Sequence, residues 1–88
     1  MNIDEIRAWI IDGIFTPLRG KGLVEIRLRA GDLHNAMGLD ARMPTVCDAM
    51  RDVHSHTRGV TLIREELGPN IHPNIRYGAN VWVTYKID

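Results

Sequence analysis

Residues 30 to 54 read AGDLHNAMGLDARMPTVCDAMRDVH and predict two short helices joined by a tight turn. In the first helix, Asp32 to Met37, apolar residues recur at the three- and four-residue spacing of one helical face. Gly38 is expected to end this helix, because glycine adopts the left-handed backbone of a helix terminus without a Cβ penalty. Pro44 suits the first position of the second helix, since its fixed φ and missing N–H cost nothing there. The stretch is therefore predicted to be a helix-turn-helix.

The second helix is predicted to run from Pro44 to His54 with one face toward the core. Its apolar face is formed by Val46, Met50 and Val53. The opposite face is expected to point outward, and it carries polar side chains: Thr45, Asp48, Arg51 and Asp52. This outward face is the first candidate binding surface, although Asp–Arg pairing within the helix accounts for the same residues without a ligand.

The rest of the chain predicts one more helix and three strands. An amphipathic helix is expected over Asn2 to Phe15, with Asn2 and Glu5 spaced as a capping box and an end before Pro17. Strands are expected where apolar residues alternate with polar ones: Leu23 to Arg29, Val60 to Arg64, and Ala79 to Ile87. Between the last two strands, Glu65 to Gly78 is rich in Pro, Gly and Asn and predicts a long loop. The 88 residues therefore predict a single α+β domain.

Composition predicts an ordinary folded domain. The chain is 44% hydrophobic and 25% charged, with a net charge of zero. No apolar run approaches the roughly 18 residues of a membrane span, and the acidic start MNIDEI lacks a signal-peptide pattern, so a cytoplasmic protein is expected. The only cysteine, Cys47, can form no internal disulfide and is expected to be a buried thiol.

Charge is distributed unevenly along the chain. Basic side chains outnumber acidic ones between Arg19 and Arg64, whereas both flanking segments carry an acidic excess. Most of the 11 basic residues are arginine, which suits planar contacts to phosphate, carboxylate or guanine but also serves ordinary ion pairs. The neutral total argues against broad attraction to nucleic acid or anionic lipid.

The predicted order of elements, helix, strand, helix, helix, strand, long loop, strand, resembles the winged helix-turn-helix superfamily over the whole chain. The run from AGDLHNAMGL into RMPTVCDAM is similar to that family's small residue, Leu-centred helix, glycine and Thr-Val helix start. RMPTVCDAM also resembles small archaeal winged-helix proteins of unassigned function, so a prokaryotic source is expected. The resemblance implies that Pro44 to His54 enters a DNA major groove and that Glu65 to Gly78 is the wing.

This resemblance implies a partner, double-stranded DNA, and a role as a small transcriptional regulator or accessory DNA-binding domain. Arginine suits phosphates and guanine edges, threonine a phosphate or a thymine methyl, and asparagine an adenine edge. The expected DNA contacts are Arg42, Thr45, Asp48, Arg51, Arg58, Asn74 and Arg76. A carboxylate such as Asp48 accepts a hydrogen bond only from cytosine and otherwise repels phosphates.

Two other classes of function are compatible with parts of the sequence. A winged helix that docks on another protein would use exposed aromatics as anchors, and Trp9, Tyr77 and Trp82 are the candidates. A homodimer is compatible with either class. An enzyme is not expected: Cys47 and His54 lie two helical turns apart, too far to share a metal ion, and no nucleophilic triad or cofactor fingerprint is present. The sequence predicts neither cofactor nor metal.

Overall fold

The computed structural model describes all 88 residues, which form three main helices and a three-stranded antiparallel sheet. The helices are α1 (Ile3–Ile10), α2 (Ala30–Ala36) and α3 (Met43–Asp52), and the strands are β1 (Val24–Arg29), β2 (Val60–Leu67) and β3 (Val81–Ile87). Strand β3 lies in the middle of the sheet and pairs antiparallel with both neighbours. The predicted α+β class is therefore confirmed. None of the helices combines the length and the apolar character needed to cross a membrane.

Helix α1 begins with the predicted capping box. The Glu5 N–H donates to the Asn2 side chain over 2.9 Å, and the Asn2 N–H donates to the Glu5 carboxylate over 3.0 Å. The predicted end before Pro17 is wrong, because a π-helical turn (Ile11–Phe15) and a short α-helical segment (Thr16–Leu18) continue the helix. Pro17 stands one residue after the π turn, and its missing N–H leaves one hydrogen bond of the continued helix unmade.

Helix α2 starts directly after β1, earlier than predicted, with the extended residue Arg29 in the N-cap position. Its end is as predicted, because Gly38 adopts a φ of 65°. The next residue, Leu39, donates its N–H to the carbonyl of His34 over 3.1 Å, which satisfies an otherwise free carbonyl of the last turn. Leu39 also packs against the core.

Helix α3 has the predicted proline in its first turn and ends close to the predicted place. The α-helical part stops at Asp52, and a single 3₁₀ turn, Val53–His56, leads toward β2. The residues predicted for its apolar face, Val46, Met50 and Val53, are fully buried. The spacing of apolar residues therefore predicts the buried face of this helix correctly.

Strand β2 is longer than predicted and contains a bulge. It reaches Leu67 rather than ending at Arg64, and its register with β3 shifts between Leu62 and Arg64. The extra residue, Ile63, reverses the alternation that follows it, because side chains in a strand point to opposite faces in turn. As a result Glu65 lies opposite the buried Val83, on the side of the sheet that faces the helices.

The core lies between the helices and the inner face of β3. That face is fully buried, as its alternation predicts, through Val81, Val83, Tyr85 and Ile87. The ring of Phe15 meets the ring of Tyr85 edge-on, with 5.0 Å between ring centroids. The Tyr85 hydroxyl donates to the carbonyl of Met50 over 2.6 Å, so a buried polar atom is satisfied while α3 is tied to the sheet.

Candidate nucleic-acid interface

The loop between β2 and β3, residues 68–80, folds back along α3. Three contacts hold it there: the Cys47 thiol lies 3.7 Å from the carbonyl of Gly78, the Tyr77 hydroxyl donates to Asp48 over 2.9 Å, and Arg51 donates to the carbonyl of Arg76. The predicted reading helix and the predicted wing are therefore neighbours. Together, α3 and residues 68–80 are called the helix–loop surface below.

A carboxylate shared by two arginines connects α3, β2 and the loop within this surface. Glu65 accepts from Arg51 over 2.8 Å and from Arg76 over 2.9 Å. The side chain of Glu65 is only 17% exposed and that of Arg51 21%, whereas Arg76 remains 55% exposed. The hydrogen bond from Arg51, assisted by the one from Arg76, lowers the pKa of Glu65 below its ordinary value. We call these three residues the Arg–Glu–Arg bridge.

The orientation of Arg51 differs from the one that the sequence predicts. The sequence predicts that this arginine points outward from α3, but its guanidinium is held between Glu65 and the backbone of the loop, 5.4 Å from the ring centroid of Tyr77. Its Nε is buried without a hydrogen-bond partner. Arg51 therefore positions the loop in this conformation and is not displayed to solvent.

The sequence predicts Glu65 as the first residue of the long loop and not as a site residue. In the structure Glu65 lies in β2, and the register shift after Leu62 turns it toward α3. The only trace of this in the sequence is the pair of adjacent apolar residues, Leu62 and Ile63, which breaks the polar and apolar alternation of the strand.

The carboxylates of α3 are engaged by residues outside the helix, not by Arg51. Asp48 accepts from the Tyr77 hydroxyl, and this hydrogen bond raises the pKa of Tyr77. Asp52 accepts from the Arg7 guanidinium of α1 through two bonds of 3.0 and 2.6 Å. The pairing of these aspartates with Arg51 is therefore not observed. These hydrogen bonds within the chain make both carboxylates less available to a ligand.

Two arginines of the helix–loop surface remain available for an external anion. Arg42 occupies the N-cap of α3 and is exposed; its side chain makes no ion pair or hydrogen bond within the chain. Arg76 uses Nη2 for Glu65, which leaves its other guanidinium N–H groups without a partner. Thr45 is half-buried one turn after Arg42, and Asn74 is exposed in the loop.

Arg58 lies away from these residues. The carbonyl of its neighbour Gly59 accepts from the N–H of Asp88, beyond the end of β3 that is remote from the loop. A seven-residue strand separates the two ends by roughly 20 Å. The carbonyl of Arg58 accepts from Arg19 over 2.6 Å, while its own side chain is exposed. The structure therefore brings Arg42, Thr45, Asp48, Arg51, Asn74 and Arg76 to α3 and its loop, and leaves Arg58 apart.

The three candidate aromatic anchors lie in different places. Tyr77 belongs to the helix–loop surface and is 36% exposed. Trp82 is half-buried on the outer face of the sheet, where the Arg27 guanidinium lies 3.9 Å from its ring centroid. Trp9 is half-buried on α1 and packs against the core. They do not form one aromatic patch.

Cys47 is fully buried, and burial raises the pKa of its thiol above the ordinary value. We therefore expect it to react slowly with Ellman's reagent in the folded protein and rapidly once the protein is unfolded, because the thiolate is the reactive form. The absorbance of released thionitrobenzoate, followed with and without denaturing guanidinium, measures both rates. Equal rates would show that the thiol is open to solvent in the native state.

The helix–loop surface offers guanidinium, hydroxyl and amide groups, a set suited to polar or anionic partners. No group of three or more His, Cys, Asp or Glu side chains is arranged to hold a metal ion. Comparison with protein-family models, curated protein sequences and solved structures finds no match to this chain.

Proposed function

We propose that the chain is a winged helix-turn-helix domain that binds double-stranded DNA through the helix–loop surface. The order of its elements and the strand order β1-β3-β2 support this proposal, as do the contacts that hold the β2–β3 loop beside α3. In such a domain α3 lies in the major groove and the loop contacts the neighbouring backbone. A role in transcription regulation belongs to the same proposal.

The observation that carries the proposal is the Arg–Glu–Arg bridge. It holds the Arg76 guanidinium beside α3 with donors to spare, while Arg42 extends freely from the N-terminal end of the same helix. An arginine whose direction is fixed by a carboxylate loses less side-chain entropy when it binds a phosphate oxygen. Arg42 and Arg76 are therefore the proposed phosphate contacts, with Thr45 and Asn74 as further polar contacts.

Few phosphates are contacted in this arrangement. Neutralising two of them gives a slope of about −2 in a plot of log association constant against log salt concentration. Because Asp48 stands on the same surface, its charge opposes non-specific binding. Non-specific affinity is therefore expected near the weak end of the usual range, with a Kd of roughly 100 µM at moderate salt.

Fluorescence anisotropy of a labelled random-sequence duplex, measured at low and moderate salt, tests the proposal. Binding that weakens with salt is expected, and Arg42→Gln combined with Arg76→Gln should abolish it. Arg58→Gln is the matched control, because Arg58 is an exposed arginine remote from the loop, and it should leave affinity unchanged. No binding of the wild-type protein at tens of micromolar in low salt would overturn the proposal, since typical non-specific Kd values lie near 1 to 100 µM. An equal loss of DNA affinity in Arg58→Gln would show that the helix–loop surface is not the DNA-binding site.

A second candidate function, a module that docks on another protein, is favoured by apolar side chains near the same loop. Ile75 is 60% exposed and Leu67 38%, and Tyr77 of the same loop is partly exposed as well. Contact with phosphates requires no such groups, whereas protein interfaces commonly centre on them. Absence of DNA binding would favour this candidate. Sedimentation velocity over a range of concentrations would then show whether the partner is a second copy.

A further inference from the structure

A shallow groove of about 560 Å³ runs along the outward side of α1, on the opposite side from the isoleucines that face the core. The residues that line it are Met1, Glu5, Ala8, Trp9, Asp12 and Gly13. This groove is separate from the helix–loop surface, because none of its lining residues belongs to α3 or to residues 68–80.

Small residues leave the groove open beside an aromatic ring. A Cβ added at Gly13 would meet no atom within 4 Å, and Ala8 carries only a methyl group. Trp9 lines the groove and also packs against the core, which restrains its ring. The groove therefore presents a fixed aromatic surface to an incoming side chain.

The two ionisable side chains that line the groove are both acidic. Asp12 is exposed and makes no ion pair or side-chain hydrogen bond within the chain, and Glu5 serves only the capping box with Asn2. These two carboxylates are seven positions apart on a helix, a separation of roughly 10 Å along its axis. An aromatic face with carboxylates at that spacing suits cations, which are attracted by both the ring and the acids.

The backbone is unusual at the same place. The π-helical turn, Ile11–Phe15, includes Asp12 and Gly13. A single π turn within a helix is infrequent and often marks a functional position, because it changes the direction of the side chains it carries. Here it lies at the end of the groove where the unpaired carboxylate is found.

We propose that the α1 groove binds a basic peptide segment of a partner protein. An apolar side chain of the peptide lies against Trp9, and two cationic side chains about 10 Å apart meet Glu5 and Asp12. In a peptide with the polyproline II conformation, residues three apart lie on the same side and are separated by roughly 9 Å. DNA is excluded from the groove by its acidic charge, and a symmetric contact between two copies would place acids against acids. The proposal is thus independent of DNA binding.

Proton–nitrogen NMR spectra, recorded during a titration with acetyl-Arg-Leu-Ala-Arg-amide, test this proposal in the full chain. The indole N–H of Trp9, assigned by comparison with Trp82→Phe, should shift together with amides of residues 2–13. The acidic control peptide, acetyl-Glu-Leu-Ala-Glu-amide, should not shift the Trp9 signal. An unmoved Trp9 signal with the basic peptide, or an equal shift with the acidic one, would overturn the proposal.

Two substitutions locate the interaction. Asp12→Asn should raise the Kd of the basic peptide about twofold to fivefold, the expected loss for one exposed charge pair. Asp40→Asn is the matched control, because Asp40 is also exposed and unpaired but lies in the turn between α2 and α3. Gly13→Leu should fill the groove and abolish the Trp9 shift, with folding verified by circular dichroism. Equal increases in Kd for Asp12→Asn and Asp40→Asn would show that the peptide does not bind in the groove. A shift of the Trp9 signal when the protein is diluted without peptide would also contradict the proposal, because it would indicate that a second copy of the chain occupies the groove.

Discussion

Replacing Phe15 with alanine is expected to lower the free energy of unfolding by about 3–5 kcal/mol. Phe15 is fully buried at the end of the π turn, and its ring packs edge-on against Tyr85. Truncation removes the transfer energy of the ring and leaves a cavity between α1 and the sheet. Small domains have a total stability of about 5–15 kcal/mol, so this single change would remove a large part of it. Urea unfolding followed by circular dichroism measures the loss.

Leu23→Ala provides the control for this prediction. Leu23 is 70% exposed just before β1, so its truncation should change stability by no more than about 0.5 kcal/mol. Similar small losses for both variants would show that the continuation of α1 through the π turn does not pack on the sheet as described.

Glu65→Gln should lower the free energy of unfolding by about 1–3 kcal/mol at neutral pH. The substitution keeps the shape of the side chain but leaves the largely buried guanidinium of Arg51 without its carboxylate. Glu66→Gln is the matched control, because Glu66 lies next in the chain and pairs with Arg27 at the surface. An exposed pair contributes about 1 kcal/mol or less, so the control should lose less stability.

The pH dependence of stability gives the second readout for Glu65. Its pKa in the folded protein lies below the ordinary value of 4.5, so the bridge stabilises the fold fully above that value. The contribution is lost as the pH falls through 4.5 toward the lower folded pKa, where the carboxylate takes up a proton. Wild-type stability should therefore fall more steeply with acid than that of Glu65→Gln. Parallel profiles for the two proteins would contradict the role of the bridge.

Local signals in the sequence were sufficient for the junction between α2 and α3 and for the central strand. Gly38 and Pro44 act through their own backbones, so they mark the end of α2 and the start of α3 wherever these helices pack. The alternation of β3 likewise identifies its buried face, because β3 is the central strand and has the core on one side. The place of Arg42 before α3 and of Thr45 in its first turn follows from Pro44, which marks the start of that helix.

The parts that could not be predicted depend on contacts distant in sequence. The bulge at Ile63 changes the face of Glu65, and only then does Arg51 find a carboxylate far along the chain. The return of the loop onto α3 likewise depends on Tyr77 meeting Asp48. Helical periodicity specifies the direction of a side chain to within a sector of the helix. It does not specify which loop covers that sector.

The bulge in β2 also bears on how the protein behaves in concentrated solution. β2 is an edge strand, and a regular edge offers a row of unpaired N–H and C=O groups to the edge of another molecule. The additional residue at Ile63 interrupts that row, and the charged run from Arg64 to Glu66 follows it directly. Pairing of two molecules through their β2 edges would bring these charged side chains close together, and the bulge would prevent the backbone N–H and C=O groups from pairing in a regular register. The irregularity that orients Glu65 therefore also protects the β2 edge of the sheet against edge-to-edge aggregation.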